Sequence, residues 1–182
     1  MCSSDLTFGY ARAFGLTSST ESGNEGLETT WDRFGLGARL RIPMGAAPSA
    51  LIGLRLGYGF MHFNFPEAGP FEGQLADTTY KFVRFGVDAR FPFGSFAVSV
   101  GGDYIAPLSA GAVYDRFTAS SVGGVELFGG FGLMIATGLE VRFTIDYTRF
   151  FYSFEPVLGD RYIAGGALDE YLSPALGVAY VY

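Results

Sequence analysis

The stretch Leu139-Glu140-Val141-Arg142-Phe143-Thr144-Ile145-Asp146-Tyr147 sets a large apolar side chain at every odd position and a polar or charged one at every even position. Successive side chains of a β-strand point to opposite faces, so this segment reads as a strand with one face suited to hydrocarbon and the other to water. The same alternation recurs near residues 5–14, 31–42, 50–62, 80–91, 96–105, 121–134 and 171–182, which makes eight strands in all. A spanning strand needs roughly 9–11 residues, so a chain of this length accommodates eight of them with loops as one all-β domain.

The connections alternate in length. Residues 15–30, 63–79, 106–120 and 151–170 read as long loops, while 43–49, 92–95 and 135–138 read as short turns. Long and short connections therefore fall on opposite rims of an eight-stranded antiparallel up-and-down β-barrel with a polar lumen. That asymmetry marks transmembrane barrels. Apolar residues make up 49% of the chain and aromatics 17%, yet no charge-free run is long enough for a transmembrane helix. A net charge of −6 argues against nucleic acid, whose phosphates demand a basic surface. The single Cys, Cys2, lies outside every strand and allows no intramolecular disulfide. Met1 to Asp5 carry neither a basic segment nor an apolar run, so residues 1–4 read as a processed or non-native leader remnant before a barrel domain over 5–182.

The alternation also assigns faces. Outward fall Phe34, Leu36, Leu40, Leu54, Leu56, Phe85, Val87, Leu127, Phe131, Val141, Phe143, Leu172 and Leu176. Inward fall Arg33, Arg39, Arg41, Arg55, Arg84, Asp88, Arg90, Asp103, Glu126, Glu140, Arg142 and Asp146, interleaved with glycines such as Gly35, Gly53, Gly86 and Gly101. Eight strands enclose so narrow an interior that large inward side chains must be offset by residues with none. Aromatics gather toward the rims: Phe14, Trp31, Phe63, Phe65, Tyr80, Tyr104, Phe150, Phe151, Tyr152 and Phe154 on the long-loop side, Phe8, Phe91, Phe93, Tyr180 and Tyr182 on the other. They are expected to form interfacial girdles.

The segment Leu176-Gly177-Val178-Ala179-Tyr180-Val181-Tyr182 resembles the C-terminal targeting signal of bacterial outer-membrane proteins, with Val178, Tyr180 and Tyr182 at the alternating apolar positions. With the eight-strand layout, the chain resembles the small barrels of the outer-membrane protein A and X type. The resemblance implies a monomer in the outer membrane of a Gram-negative bacterium, inserted by the barrel-assembly machinery and surrounded by lipid and lipopolysaccharide. It implies no particular activity, since function lives in sites and not in folds.

Charged groups in a narrow lumen cannot stay unpaired, so Arg39, Arg55, Arg84, Asp88, Arg90, Glu126, Glu140, Arg142 and Asp146 are expected to form an Arg–carboxylate network. Removing Arg142 should then strand a buried carboxylate at a cost of about 3–5 kcal/mol. The rival reading of the same charges is a small gated pore that opens by exchange of ion-pair partners. Outward Arg12, Lys81 and Arg149 near the long-loop rim suit lipopolysaccharide phosphates. The loops hold most of the acidic residues, among them Glu21, Glu25, Glu28, Glu67, Glu72, Asp77, Asp115, Glu155, Asp160, Asp169 and Glu170, and give the chain a surface-interaction role.

An enzyme acting on lipid A would need a His and a nearby Ser. The one histidine, His62, sits in Met61-His62-Phe63-Asn64 with no Ser two residues on, leaving only Ser120, Ser121 or Ser153 from other strands, so no catalytic role is expected. No metal cluster or cofactor-binding loop stands out; Phe34-Gly35-Leu36-Gly37 belongs to a strand and lacks a P-loop lysine. A soluble lipocalin-like binder would hold its aromatics inside and expose its charges, the reverse of this pattern.

Overall fold

The computed structural model describes residues 3–20, 23–45, 50–64, 78–111, 120–155 and 166–180, the side chains of 14–29, 120, 166–168 and 180 excepted. Eight strands follow in chain order: β1 (Ser3–Thr20), β2 (Gly23–Met44), β3 (Ala50–Asn64), β4 (Thr78–Phe93), β5 (Phe96–Ser109), β6 (Ser120–Ala136), β7 (Leu139–Phe154) and β8 (Gly166–Tyr180). Each pairs antiparallel with its sequence neighbour, so spatial order equals chain order in a single curled, up-and-down sheet. Two-residue turns join β4 to β5 through Gly94-Ser95 and β6 to β7 through Thr137-Gly138. Gly94 and Gly138 take φ of 66° and 76°, a left-handed geometry glycine enters without a Cβ penalty.

The strands run from 14 to 22 residues. Residues 15–30 are not one long loop: β1 continues to Thr20 and β2 resumes at Gly23, with Leu16 opposite Thr29, Thr17 opposite Glu28 and Ser18 opposite Leu27 beyond a register shift after Ala13. Hydrogen bonding therefore carries the first hairpin past the level where β3 ends, since β2 pairs with β3 only from Thr30 onward. Ser3 and Ser4 also belong to β1, opposite Arg41 and Leu40, so the sheet has no break at residue 4. Residues 65–77, 112–119 and 156–165, where the other long loops were expected, lie outside the described residues with most of their acidic side chains.

Register fixes the faces, because a slip of one residue would invert a whole strand. On one face stand Leu6, Phe8, Leu36, Leu56, Phe85, Val87, Leu127, Leu172, Leu176 and Val178, all at least half exposed. The opposite face is concave. Side chains from strands four apart in the order meet across it: Arg33 of β2 with Glu126 of β6, and Tyr80 of β4 with Asp169 of β8. Among the described residues no ladder joins β1 to β8, and the edges of the curl remain unpaired. They nonetheless face each other near the long-loop end, where Ala13 of β1 and Tyr171, Leu172 and Ser173 of β8 line one cavity of about 320 Å³.

The buried apolar cluster occupies the long-loop end of the concave side. Met61, Tyr80, Phe82, Ile105, Ala110, Phe150, Tyr152 and Phe154 are its buried members, with Trp31, Val122 and Tyr171 packed against it. Tyr80 stacks on Phe150 at 4.2 Å between ring centroids, and Tyr171 meets Phe63 at 5.5 Å. Thus Trp31, Phe63, Tyr80, Phe150, Tyr152 and Phe154 do not belong to an outer aromatic girdle. Each shares the parity of the inward charges on its own strand, and the concave side is where that parity sends it. Tyr104 and Phe151 do stand on the convex face, each more than 40% exposed. Phe14, Phe65, Tyr180 and Tyr182 lie outside the described residues or side chains.

Candidate functional site

The concave side carries three layers of chemistry. In the middle, Glu126 of β6 is 3% exposed and accepts from two arginines, Arg33 of β2 and Arg84 of β4, the latter at 3.3 Å. Beside it, Arg55 reaches Asp103 at 3.1 Å and lays its guanidinium 4.2 Å from the centroid of the Phe128 ring. A buried carboxylate of this kind is tolerable only when cations and N–H donors replace its lost water. Glycines make the room. A Cβ on Gly86 would collide with the Gly102 carbonyl and the Asp103 side chain, so no other residue fits at that point.

Toward the short turns, Arg39 donates to Asp88, with Nε 3.1 Å from Oδ1, and Arg41 pairs with Asp5 at 2.6 Å. Glu140, 1% exposed, accepts from Arg90 at 2.6 Å and from Arg142 at 2.8 Å. Its carboxylate lies over Gly132, where any Cβ would overlap Oε1. Because Arg90 remains when Arg142 is lost, Arg142 does not stand alone between Glu140 and an uncompensated burial. Asp5 is a member that the alternation of β1 implies and that the sequence reading left out.

Toward the long-loop end, Asp169 receives hydroxyl hydrogen bonds from Tyr152, at 2.8 Å, and from Tyr80. This cluster caps the charged middle with aromatic rings. Of the nine residues expected in the network, Arg39, Arg55, Arg84, Asp88, Arg90, Glu126, Glu140 and Arg142 each take part in an ion pair within 4 Å. Asp146 sits on the same side and lines two cavities, of about 310 and 360 Å³, which also share Arg55 and Arg84.

The convex face has its own charges. Arg12 pairs with Asp32, which also accepts from the Tyr10 hydroxyl at 2.8 Å; Arg149 stands 3.8 Å from Glu170, which accepts from the Tyr147 hydroxyl at 2.5 Å. Two matching Tyr–carboxylate–Arg groups thus flank the two free edges of the sheet. Lys81 is exposed on the same face. His62 lies there as well, with its ring 6.3 Å from Phe60. Ser121 and Ser153 face each other on β6 and β7, three or more strands from His62, so the fold does not bring this histidine to those serines. The side chain of Ser120 is outside the described set.

Compared with family models, curated proteins and solved structures, the chain matches none. The likeness to the outer-membrane protein A and X barrels rests on strand number, alternation and the closing segment alone.

Proposed function

We propose that this chain is a bacterial outer-membrane β-barrel with a structural and surface-interaction role. The observation that carries the reading is inverted polarity: the convex face exposes Leu6 at 87%, Phe8 at 72%, Leu172 at 69% and Leu176 at 76%, while Glu126 and Glu140 are buried on the concave face. Water-soluble sheets place these groups the other way round, and so continuous an apolar surface calls for lipid. An open edge does not persist in hydrocarbon, where each unsatisfied backbone group costs several kcal/mol, so β1 closes on β8 there. Their antiparallel directions permit that pairing.

In this reading the ion-pair layers and the aromatic cap fill the barrel, and the loops present its acidic outer surface. Arg12 and Arg149 hold carboxylate partners, so lipopolysaccharide phosphates meet them only in competition with Asp32 and Glu170. No reaction is assigned to the chain. The test is expression followed by membrane fractionation and detergent extraction. The protein should sediment with outer membrane, show a β-rich circular-dichroism spectrum, and migrate differently on gels when boiled. A monodisperse protein in detergent-free buffer would refute the reading. A steady large conductance in planar bilayers would replace the filled barrel with a pore.

A further inference from the structure

The ion pairs do not use up the arginines of the short-turn end. A cavity of about 360 Å³ there is lined by Arg39, Arg41, Arg55, Arg84, Arg90 and Arg142, and only Asp88 and Asp146 among carboxylates share its wall. Asp88 is already held by Arg39. Glu140 neutralises Arg90 and Arg142 together, one carboxylate for two cations, so among the described residues the four arginines nearest the short turns face three carboxylates: Asp5, Asp88 and Glu140. A guanidinium carries five N–H donors in a planar fork. Arg142 donates to Glu140 through Nε, which leaves its outer fork for another acceptor, and its side chain is 39% exposed. Arg41, 33% exposed, has a buried Nε with no hydrogen-bond partner. Ser99 and Thr144 add hydroxyls to the same wall.

We infer that this cavity is a binding site for a small oxyanion of the phosphate class, held chiefly by Arg41, Arg90 and Arg142. Arginine forks match tetrahedral and carboxylate oxyanions bidentately, and walls of low dielectric strengthen the contact. The volume is within the range of small-ligand sites. Among the described residues the excess of one positive charge at this end gives the site its sign, while in the layer above Glu126 and Asp103 pair with Arg33, Arg55 and Arg84, and Asp146 lines the same space. The inference uses concave-side residues alone, but its test takes detergent-folded protein and so rests on the outer-membrane reading, whose own failure would show as loss of heat-dependent gel mobility and not as loss of phosphate uptake alone.

The test is a calorimetric titration of inorganic phosphate into detergent-folded protein in chloride buffer, with gel mobility as the check on folding. The wild type should take up phosphate saturably at one site. Arg41→Gln with Arg142→Gln should weaken it by about tenfold or more, as the loss of two charge-assisted forks predicts. Because that pair of changes also frees Asp5, Thr144→Glu serves as the second variant: it removes no member of an ion pair and puts a carboxylate into the cavity. It should abolish uptake. Arg33→Gln, in the layer above, should leave uptake unchanged. Absence of saturable uptake in the wild type, unimpaired uptake in folded Thr144→Glu, or an equal loss in Arg33→Gln would each overturn the inference.

Discussion

Glu140→Ala isolates the energetics of the network. The carboxylate is 1% exposed and is the shared acceptor of Arg90 at 2.6 Å and Arg142 at 2.8 Å. Its removal leaves two guanidinium groups close together with their common counter-charge gone. Deleting one partner of a buried ionic group costs about 3–5 kcal/mol, and this substitution should fall in that range. Arg142→Ala is a smaller change. Glu140 keeps Arg90, so the loss is one hydrogen bond to a charged group, about 1.5–3 kcal/mol, and the 39% exposure of Arg142 puts it at the low end. In the Glu140→Ala background, taking away Arg142 also relieves a repulsion and should cost nearly nothing. The assay is urea unfolding in lipid vesicles, followed by fluorescence of Trp31, the single tryptophan, which packs against the aromatic cluster. Equal losses in Glu140→Ala and Arg142→Ala, or single costs that simply add in the double variant, would refute the shared-acceptor reasoning.

Other substitutions address the remaining layers. Leu56→Arg, at a side chain 60% exposed on the convex face, should cost about 2–4 kcal/mol if that face meets lipid, whereas in water it would cost almost nothing; the same vesicle titration decides. Phe150→Ala, at a ring with no exposure stacked on Tyr80, should cost about 3–5 kcal/mol and blue- or red-shift the Trp31 emission, and a neutral result would remove the ring from the core. Gly86→Ala should destabilise by about 1–3 kcal/mol because its Cβ meets the Gly102 backbone, measured as a lower urea midpoint, and an unchanged midpoint would mean that β4 and β5 can separate there.

Alternation alone made strand number, order and the two faces legible, since a period of two is a local property that survives without any tertiary information. Arg33, Glu126, Glu140 and Arg142 could be placed on one side for that reason. Glu140 with Arg142, two residues apart on one strand, was within the same reach, but partners on other strands were not. Whether Glu126 meets Arg33 and Arg84, or Asp88 meets Arg39, depends on curl and stagger, which no single strand encodes. The aromatic cap was readable by the same parity, since Tyr80 and Phe82 alternate with outward Lys81 and Val83, but nearness to a rim outweighed parity for Trp31, Phe63, Tyr80, Phe150, Tyr152 and Phe154. The hairpin of β1 and β2 was missed for a different reason. Residues 15–30 are polar, and backbone pairing there needs no apolar face to announce it.

The neighbour-to-neighbour order of the sheet also bears on how the protein assembles and how long it lasts. Every ladder can form between strands adjacent in the chain, at low loop-closure cost. Contacts such as Arg33 with Glu126, 93 residues apart, exist only once the sheet has curled. Bonds made late in folding are the ones absent from its transition state, so they act on the rate of coming apart and hardly on the rate of coming together. The cross-curl ion pairs are therefore a latch: loosening them should shorten the lifetime of the assembled protein while leaving its folding speed almost as it was.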